Sequence, residues 1–477
     1  MGVPLGYDGR DGGDFRRKER EMELDYVFWE LERSRQERIS ELVELLSIES
    51  VSTAPEKREE VRKAGLWLSE KLARMGFEVG LLETPGHPVL LASHCKRKGK
   101  PTVLIYGHFD VQPTDPEEEW VSPPFVPQVR DGCVYARGAS DDKGQLLTHV
   151  HAVEAILKRS GELPLNVKFL LEGEEEIGSP SLPTLLEERK GDLAADCVVI
   201  SDGCQFRSGI PAITYGLRGL AYVEIEVEGP KLDLHSGSYG GLVENPINAL
   251  CSMLARLKTP EGKVAIPGFY DDVIPLEPWE RQEIKELPFD EEGVKEYLGV
   301  EWLVGESEFT PLERRWARPT LDVNGIWGGF SGKGAKTVIP ARAGAKVSMR
   351  LVPRQVPSRV CALLEAYLQE MKPRGVRIKV RAINGADPVI IDRKLPQIQA
   401  AFKAIERGFG RPPVFIREGG SIPVVNMLKN YLGIEAILLL GWGSPEDGAH
   451  SPNERFSLED FHRGTKTSVA LLYELAR

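Results

Sequence analysis

The order of apolar patterns along this chain predicts an α/β fold with a largely parallel sheet, interrupted by a smaller α+β domain. Three observations carry the prediction. Continuous apolar or β-branched runs at residues 89–92, 102–106, 165–171, 197–201 and 436–440 read as strands covered on both faces. Helical spacing fills the intervals, at residues 58–74, 144–158, 182–189, 395–407 and 458–475, and strands alternating with helices build a parallel sheet. Residues 221–228, in contrast, alternate strictly between apolar and polar, with looser alternation at 343–352 and 375–380, as in strands with one wet face.

Taken in order, residues 1–22 are polar and glycine-rich and predict an N-terminal arm. Leu24, Val27, Phe28, Leu31, Ile39, Leu42, Leu45 and Leu46 then recur at helical spacing against a charged face. The α/β pattern runs to residue 214 and resumes at 386, so residues 23–214 and 386–477 form one domain and residues 215–385 an insertion. The insertion adds helical patterns at 246–257 and 358–371, and its stretch 260–319 is irregular, with one short helix at 278–286.

Composition excludes several classes. The chain has 477 residues, 41% of them hydrophobic, which suits a soluble globular protein of two or three domains at ~100–200 residues each. Its 61 basic and 72 acidic residues leave a charge of −11 without a basic cluster, so nucleic acid is not an expected partner. Six scattered cysteines form no CxxC pair, which argues against a thiolate zinc site and for reduced thiols in the cytoplasm. Residues 436–440, among the longest apolar runs, are far short of the ~20 a membrane span needs, and no membrane partner is expected. The first residues lack an apolar signal core, and Gly6 stands where a myristoylation motif needs Ser or Thr.

Five segments gather His and acidic residues where predicted strands end: YGHFDVQP (106–113), RGASDDKG (137–144), EGEEEIGS (172–179), ISDG (200–203) and GAHSPNE (448–454). Open α/β sheets bind ligands at the carboxyl ends of their strands, so these segments can converge. In an extended segment His108 and Asp110 share a side, and the carboxylate can hold one imidazole nitrogen while the other binds a metal. Asp141 and Asp142 precede a helical pattern, where one of them is free if the other caps the helix. Glu174, Glu175 and Glu176 repel one another unless cations neutralise them. With Asp202 and His450, this N and O donor set without thiolate suits zinc, manganese or cobalt, and more than four candidates suggest two ions sharing a carboxylate.

These segments, in this order and spacing, resemble those of the binuclear metallo-exopeptidases that include carnosinases, cytosolic non-specific dipeptidases, carboxypeptidase G and aminoacylases. LDLHSG (232–237), FSGKGAKTVIP (330–340), MRLVPRQ (349–355) and REGGSIPV (417–424) are similar to motifs of the dipeptidase branch. The resemblance implies an aminopeptidase-like catalytic domain carrying a lid and dimerisation domain, and two divalent ions, zinc or manganese. It implies that Asp141 bridges the ions, with His108 and Asp202 on one and Glu176 and His450 on the other. Glu175 becomes the general base, which the interval from the Glu run to Gly178 selects, and Asp110 orients His108. Two dications against Asp141, Glu176 and Asp202 leave about one positive charge, which can bring the pKa of a bridging water from ~15.7 towards ~7.

The resemblance further implies a homodimer in which His235 and Thr337 reach the other subunit's site, His235 as oxyanion donor. Arg350 becomes the clamp for a substrate carboxylate, with Ser421 in an anion-binding turn. A dipeptide or short peptide is the expected substrate. An N-acyl-amino-acid deacylase or a carboxypeptidase would use the same chemistry, and a non-catalytic dimeric binding protein is the remote alternative. His149 and His151 read as packing or surface residues, the Gly-rich stretch 325–334 lacks nucleotide-loop spacing, and no Gly-x-Ser-x-Gly occurs.

Overall fold

A computed structural model describes residues 11–477, so the first ten residues of the expected arm lie outside the described residues. The chain runs through α1 (Asp11–Arg33), α2 (Arg35–Leu46), α3 (Arg58–Arg74), β1 (Glu78–Leu82), β2 (Val89–His94), β3 (Thr102–His108), β4 (Gln128–Arg130) and β5 (Cys133–Tyr135). It continues through α4 (Lys143–Ser160), β6 (Asn166–Glu172), α5 (Leu182–Glu188), β7 (Cys197–Ile200) and β8 (Ala212–Leu217). There follow β9 (Gly219–Glu228), β10 (Leu234–His235), α6 (Ser236–Tyr239), α7 (Pro246–Ala255), α8 (Pro278–Glu286), α9 (Glu291–Leu298) and α10 (Pro311–Ala317). Next come β11 (Thr320–Gly328), β12 (Val338–Ile339), β13 (Arg342–Leu351), α11 (Pro357–Met371), β14 (Arg377–Ala386) and β15 (Val389–Ile390). The chain ends through α12 (Pro396–Phe409), β16 (Val414–Glu418), α13 (Pro423–Met427), β17 (Ile437–Leu439), β18 (Arg455–Ser457) and α14 (Leu458–Leu475).

Two compact units result. One holds the described chain up to Thr214 with Ile391–Phe415 and Met427–Arg477; the other holds Tyr215–Ile390 with Ile416–Asn426. The short return segment joins the second unit because Arg218 grips it, donating from its backbone N–H to the Glu418 carbonyl at 3.2 Å and from Nε to the Gly419 carbonyl at 3.0 Å.

In the first unit α1 begins at Asp11, so the stretch expected as a polar arm is helical from there. The reason is local, since residues 15–23 are mostly Arg, Lys, Glu and Met, which lose little rotamer freedom in a helix. The single helical pattern expected around residues 24–46 divides at Ser34, whose hydroxyl donates back to the Glu30 carbonyl at 2.9 Å. The sheet order is β1-β2-β6-β3-β7-β17-β8. Its centre, β6-β3-β7-β17, is parallel, while β1, β2 and β8 pair antiparallel. The connection from β1 to β2 is too short for the dozen-residue crossover that a parallel pair needs.

Register fixes where the strands end together. His108 pairs with Glu172 across β3 and β6, and Tyr106 with Ile200 across β3 and β7. The segments that follow these strands therefore leave one edge of the sheet. Helix α4 packs beside it, with every residue from Lys143 to Val153 buried. Gly107 permits this approach, because a Cβ there would lie 2.8 Å from Asp142 Oδ2 and 3.1 Å from Leu146 Cδ1. Total burial makes the polar residues of α4 seek internal partners. His149 Nε2 meets Ser201 Oγ at 2.8 Å, His151 Nε2 meets Glu41 Oε2 at 2.7 Å, and Lys143 Nζ donates to the Ile48 carbonyl at 2.7 Å.

The second unit is built on an antiparallel sheet, β11-β13-β9-β14. Strand β9 buries Ala221, Val223, Ile225 and Val227 and turns the intervening residues outward. The buried row packs with Leu250 and Met253 of α7 and Val360, Leu364 and Leu368 of α11. The irregular stretch contains the expected α8, and also α9 and α10, whose starts are capped by Asp290 and Thr310.

In the first unit, α12 and α14 approach each other closely at Gly408. A Cβ there would sit 1.9 Å from Thr467 Oγ1 and 2.7 Å from Thr467 N. Alanine gains ~1 kcal/mol of helix propensity over glycine, but overpacking against backbone costs ~1–3 kcal/mol. Gly408→Ala should therefore lower the urea midpoint with the m-value unchanged; a raised midpoint would mean that the helices separate without cost.

Candidate metal centre

Four segments, those of His108, Glu176, Asp202 and His450, converge on Asp141. Its Oδ1 lies 3.1 Å from His108 Nε2, and its Oδ2 lies 2.9 Å from His450 Nε2. Asp202 Oδ1 is 3.8 Å from His108 Nε2, and Glu176 Oε2 is 3.3 Å from His450 Nε2. The donor atoms of His108, Asp141 and Asp202 all lie within 4.8 Å of one another, as do those of Asp141, Glu176 and His450. One carboxylate thus belongs to two groups, presenting a different oxygen to each imidazole.

The charges explain why such a cluster suits cations. His108 is fully buried, yet Asp110, Asp141 and Asp202 overcome that burial and hold its pKa well above the usual range. Hydrogen bonds to Asp141 and Glu176 raise His450 to about 10. Burial pushes Asp141 up, but the two histidines outweigh it and hold that carboxyl below its ordinary value. Burial raises Asp202 to about 6 and Glu175 to about 8, the latter aided by the charges of Asp202, Glu176 and Asp110. The carboxylates draw protons onto both imidazoles, so positive charge is what this donor set lacks. Divalent ions fit that demand and the mixed N and O donors.

The neighbouring acids have separate duties. Glu174 is buried and accepts from the backbone N–H groups of His87 at 2.7 Å and Ser181 at 3.0 Å, which leaves Glu175 and Glu176 for the cluster. The Asp110 carboxylate accepts from the N–H groups of Glu175 at 3.3 Å and Glu176 at 3.1 Å. His108 Nδ1 lies 3.1 Å from the Asp110 carbonyl oxygen and 3.4 Å from Asp110 Oδ1, so the main chain makes the closer contact. Asp142 occupies the N-cap of α4 without capping it; its Oδ2 instead accepts from the His108 N–H at 3.3 Å. His450 itself sits at φ 63°, a conformation that costs a non-glycine residue ~1–3 kcal/mol and aims its ring at Asp141.

The remaining expected site residues form two pairs in the second unit. Arg350 Nη1 donates to Ser421 Oγ at 3.1 Å, and that hydroxyl donates to the Arg218 carbonyl at 2.6 Å. His235 is exposed, with Nδ1 accepting from the Gly237 N–H at 3.0 Å. Exposed Thr337 lies alongside, its carbonyl accepting from the Ser236 N–H at 3.0 Å. A third group of possible ligands, Glu41, His151 and Glu154, already surrounds a cation, since Lys71 Nζ lies 2.8 Å from Glu41 and 3.0 Å from Glu154. Sequence reasoning did not single out Gln145 or Glu454; the place of Glu454 four residues after His450, in a segment dense in candidate ligands, was the available signal.

A carboxylate shared between two His and acid groups, at the carboxyl edge of parallel strands, is a donor set that suits a two-cation hydrolytic centre. The chain belongs to peptidase family M20/M25/M40, whose sequence profile matches residues 104–474. It is 35% identical to the Cys-Gly metallodipeptidase dug1 of Schizosaccharomyces pombe, over 95% of this chain and 99% of that protein. It is 34% identical to the Beta-Ala-His dipeptidase of Homo sapiens, over 95% of this chain and 93% of that protein. Human carnosine dipeptidase 1 superposes with a TM-score of 0.82 at 34% identity, covering 95% of this chain and 98% of that one. The M20 family metallo-carboxypeptidase Sso-CP2 of Sulfolobus solfataricus also gives 0.82, at 36% identity over 92% of this chain and 99% of that one.

Two measurements test the electrostatics. Zinc or manganese added to metal-stripped protein at about 100 times its dissociation constant should stabilise the fold by ~2.7 kcal/mol per site, read as a rise in Tm; no rise would mean that the cluster does not bind these ions. In the metal-free protein Glu175 has a folded pKa of about 8, above its ordinary 4.5, so the folded state holds the extra proton and stability falls as pH rises between those values. Metal-free Glu175→Gln should therefore become progressively more stable than the parent protein across that window. An offset in urea unfolding that is independent of pH would contradict the raised pKa.

Proposed function

We propose that this protein is a metal-dependent dipeptidase whose general base is Glu175. The observation that carries the reading is Asp141 shared between two histidine-containing groups, with the uncommitted, half-buried carboxyl of Glu175 beside them. Two divalent ions, zinc or manganese, held by His108, Asp141 and Asp202 and by Asp141, Glu176 and His450, would polarise a peptide carbonyl and acidify water. Glu175 takes the proton from the attacking water and passes it to the leaving amine. Asp110 acts through others: it holds the backbone of Glu175 and Glu176 and turns His108 so that Nε2 faces Asp141.

Arg350 and Ser421 bind the substrate's terminal carboxylate in this proposal, the guanidinium offering paired N–H groups. With Nδ1 accepting a hydrogen bond, a neutral His235 carries its proton on Nε2, the donor that a developing oxyanion needs. We assign His235 and Thr337 to the partner's site in a homodimer, a role supported by their exposure and adjacency. Cytoplasmic action is supported by six free cysteines, as in a reducing compartment. The dipeptidase names of relatives 35% and 34% identical over nearly the whole chain support the substrate class. The likeness to Sso-CP2 favours a second reading, cleavage of a carboxyl-terminal residue from longer peptides.

The deciding assay offers metal-stripped, zinc- or manganese-reloaded protein a plain dipeptide, a longer peptide and an N-acetyl amino acid. Cleavage confined to the dipeptide supports the proposal. Trimming of the longer peptide favours the carboxypeptidase, and hydrolysis of only the acetylated compound a deacylase. Glu175→Gln should cut kcat by ~10²–10⁴-fold while retaining metal; full activity would remove Glu175 from the base role. Arg350→Met, losing a charged hydrogen bond of ~1.5–3 kcal/mol, should lower kcat/KM by ~10–100-fold, mostly through KM.

A further inference from the structure

The peptide group that precedes the Asp141 side chain is held at both polar ends. Its carbonyl, on Ser140, accepts from Gln145 Nε2 at 2.8 Å; its N–H, on Asp141, donates to Glu454 Oε1 at 3.1 Å. Both side chains are buried, with exposures of 3% for Gln145 and 0% for Glu454. Neither bond involves the Asp141 carboxylate, which remains directed at His108 and His450.

Each side chain also reaches other ligand-bearing segments. Gln145 Nε2 donates to the Gly203 carbonyl at 3.1 Å, next to Asp202, and Oε1 accepts from the N–H groups of Trp442 at 2.6 Å and Gly443 at 3.2 Å, on the approach to His450. A carboxamide has two N–H donors and two acceptor lone pairs, and all four are in use. Glu454, in the His450 segment, accepts from Gly138 N and Ser140 N at 2.9 Å each, Ser140 Oγ at 3.3 Å and Arg137 Nη1 at 2.8 Å. So many donors require an acceptor-only group, and an amide in its place would turn N–H groups toward N–H groups.

We propose that Gln145 and Glu454 are positioning residues for Asp141. They fix the plane of the Ser140–Asp141 peptide before a cation arrives, and they tie the Asp141, Asp202 and His450 segments together so that both cation sites are preformed. The inference rests on the two-metal reading above. Without this hold, binding a cation must also order the loop, and metal affinity falls by the cost of that ordering.

The test titrates zinc into metal-stripped Glu454→Gln and Gln145→Met proteins against a competing chelator, with circular dichroism to confirm folding. Zinc affinity should drop ~10–100-fold in each, with kcat recovering as zinc is raised and KM at saturating zinc unchanged. A role in stability alone would lower Tm yet leave zinc affinity within about threefold of the parent, and that result overturns the proposal. Should Glu454→Gln not fold, Gln145→Met decides; failure of both to fold counts against a positioning role. Absence of both zinc and manganese binding by the parent protein would instead sink the two-metal reading.

Discussion

Asp141 gives one carboxylate oxygen to each of two imidazoles, and the first unit is arranged around that shared anion. The parallel centre of the sheet brings the ends of β3, β6, β7 and β17 to one edge, from which His108, Glu176, Asp202 and His450 are supplied. Helix α4 starts at the same edge because Gly107 leaves room for Asp142 and Leu146. Gathering this many carboxylates away from water is costly unless cations balance them. Without metal, protons on His108 and His450 serve that purpose, and a divalent ion would serve it better.

Around this centre the acidic residues divide by partner rather than by position. Glu174 and Asp110 satisfy backbone N–H groups of the loops they adjoin, and Glu454 does so for the loop that carries Asp141. Glu41 and Glu154 are matched to Lys71. Only those acids without such a commitment are left for cation binding or proton transfer. A buried carboxylate is therefore informative through what it accepts, and adjacency in sequence says little, as Glu174, Glu175 and Glu176 demonstrate.

Much of the fold and of the cluster was legible beforehand. Continuous apolar runs marked the central strands, and strict alternation marked β9, because a strand covered on both faces and one with a wet face differ directly in composition. The coincidence of His and acidic residues at successive strand ends pointed to the residues that meet around Asp141. Helicity of residues 11–22 escaped because a polar stretch has no apolar period to read, and the break at Ser34 because it depends on one hydroxyl bonding back four residues.

By itself the sequence determined the central strands, the amphipathic helices and the segments that carry ligand-type side chains, since these follow from hydrophobic period and residue chemistry. Tertiary structure alone decided that Glu174 accepts from the backbone N–H groups of His87 and Ser181 and that Asp142 serves the His108 backbone instead of a helix cap. It also decided that Gln145 and Glu454 grip one peptide group from opposite sides. These are contacts between residues up to 313 positions apart, and a hydrogen bond over that separation is set by strand register and helix placement, which no local pattern encodes.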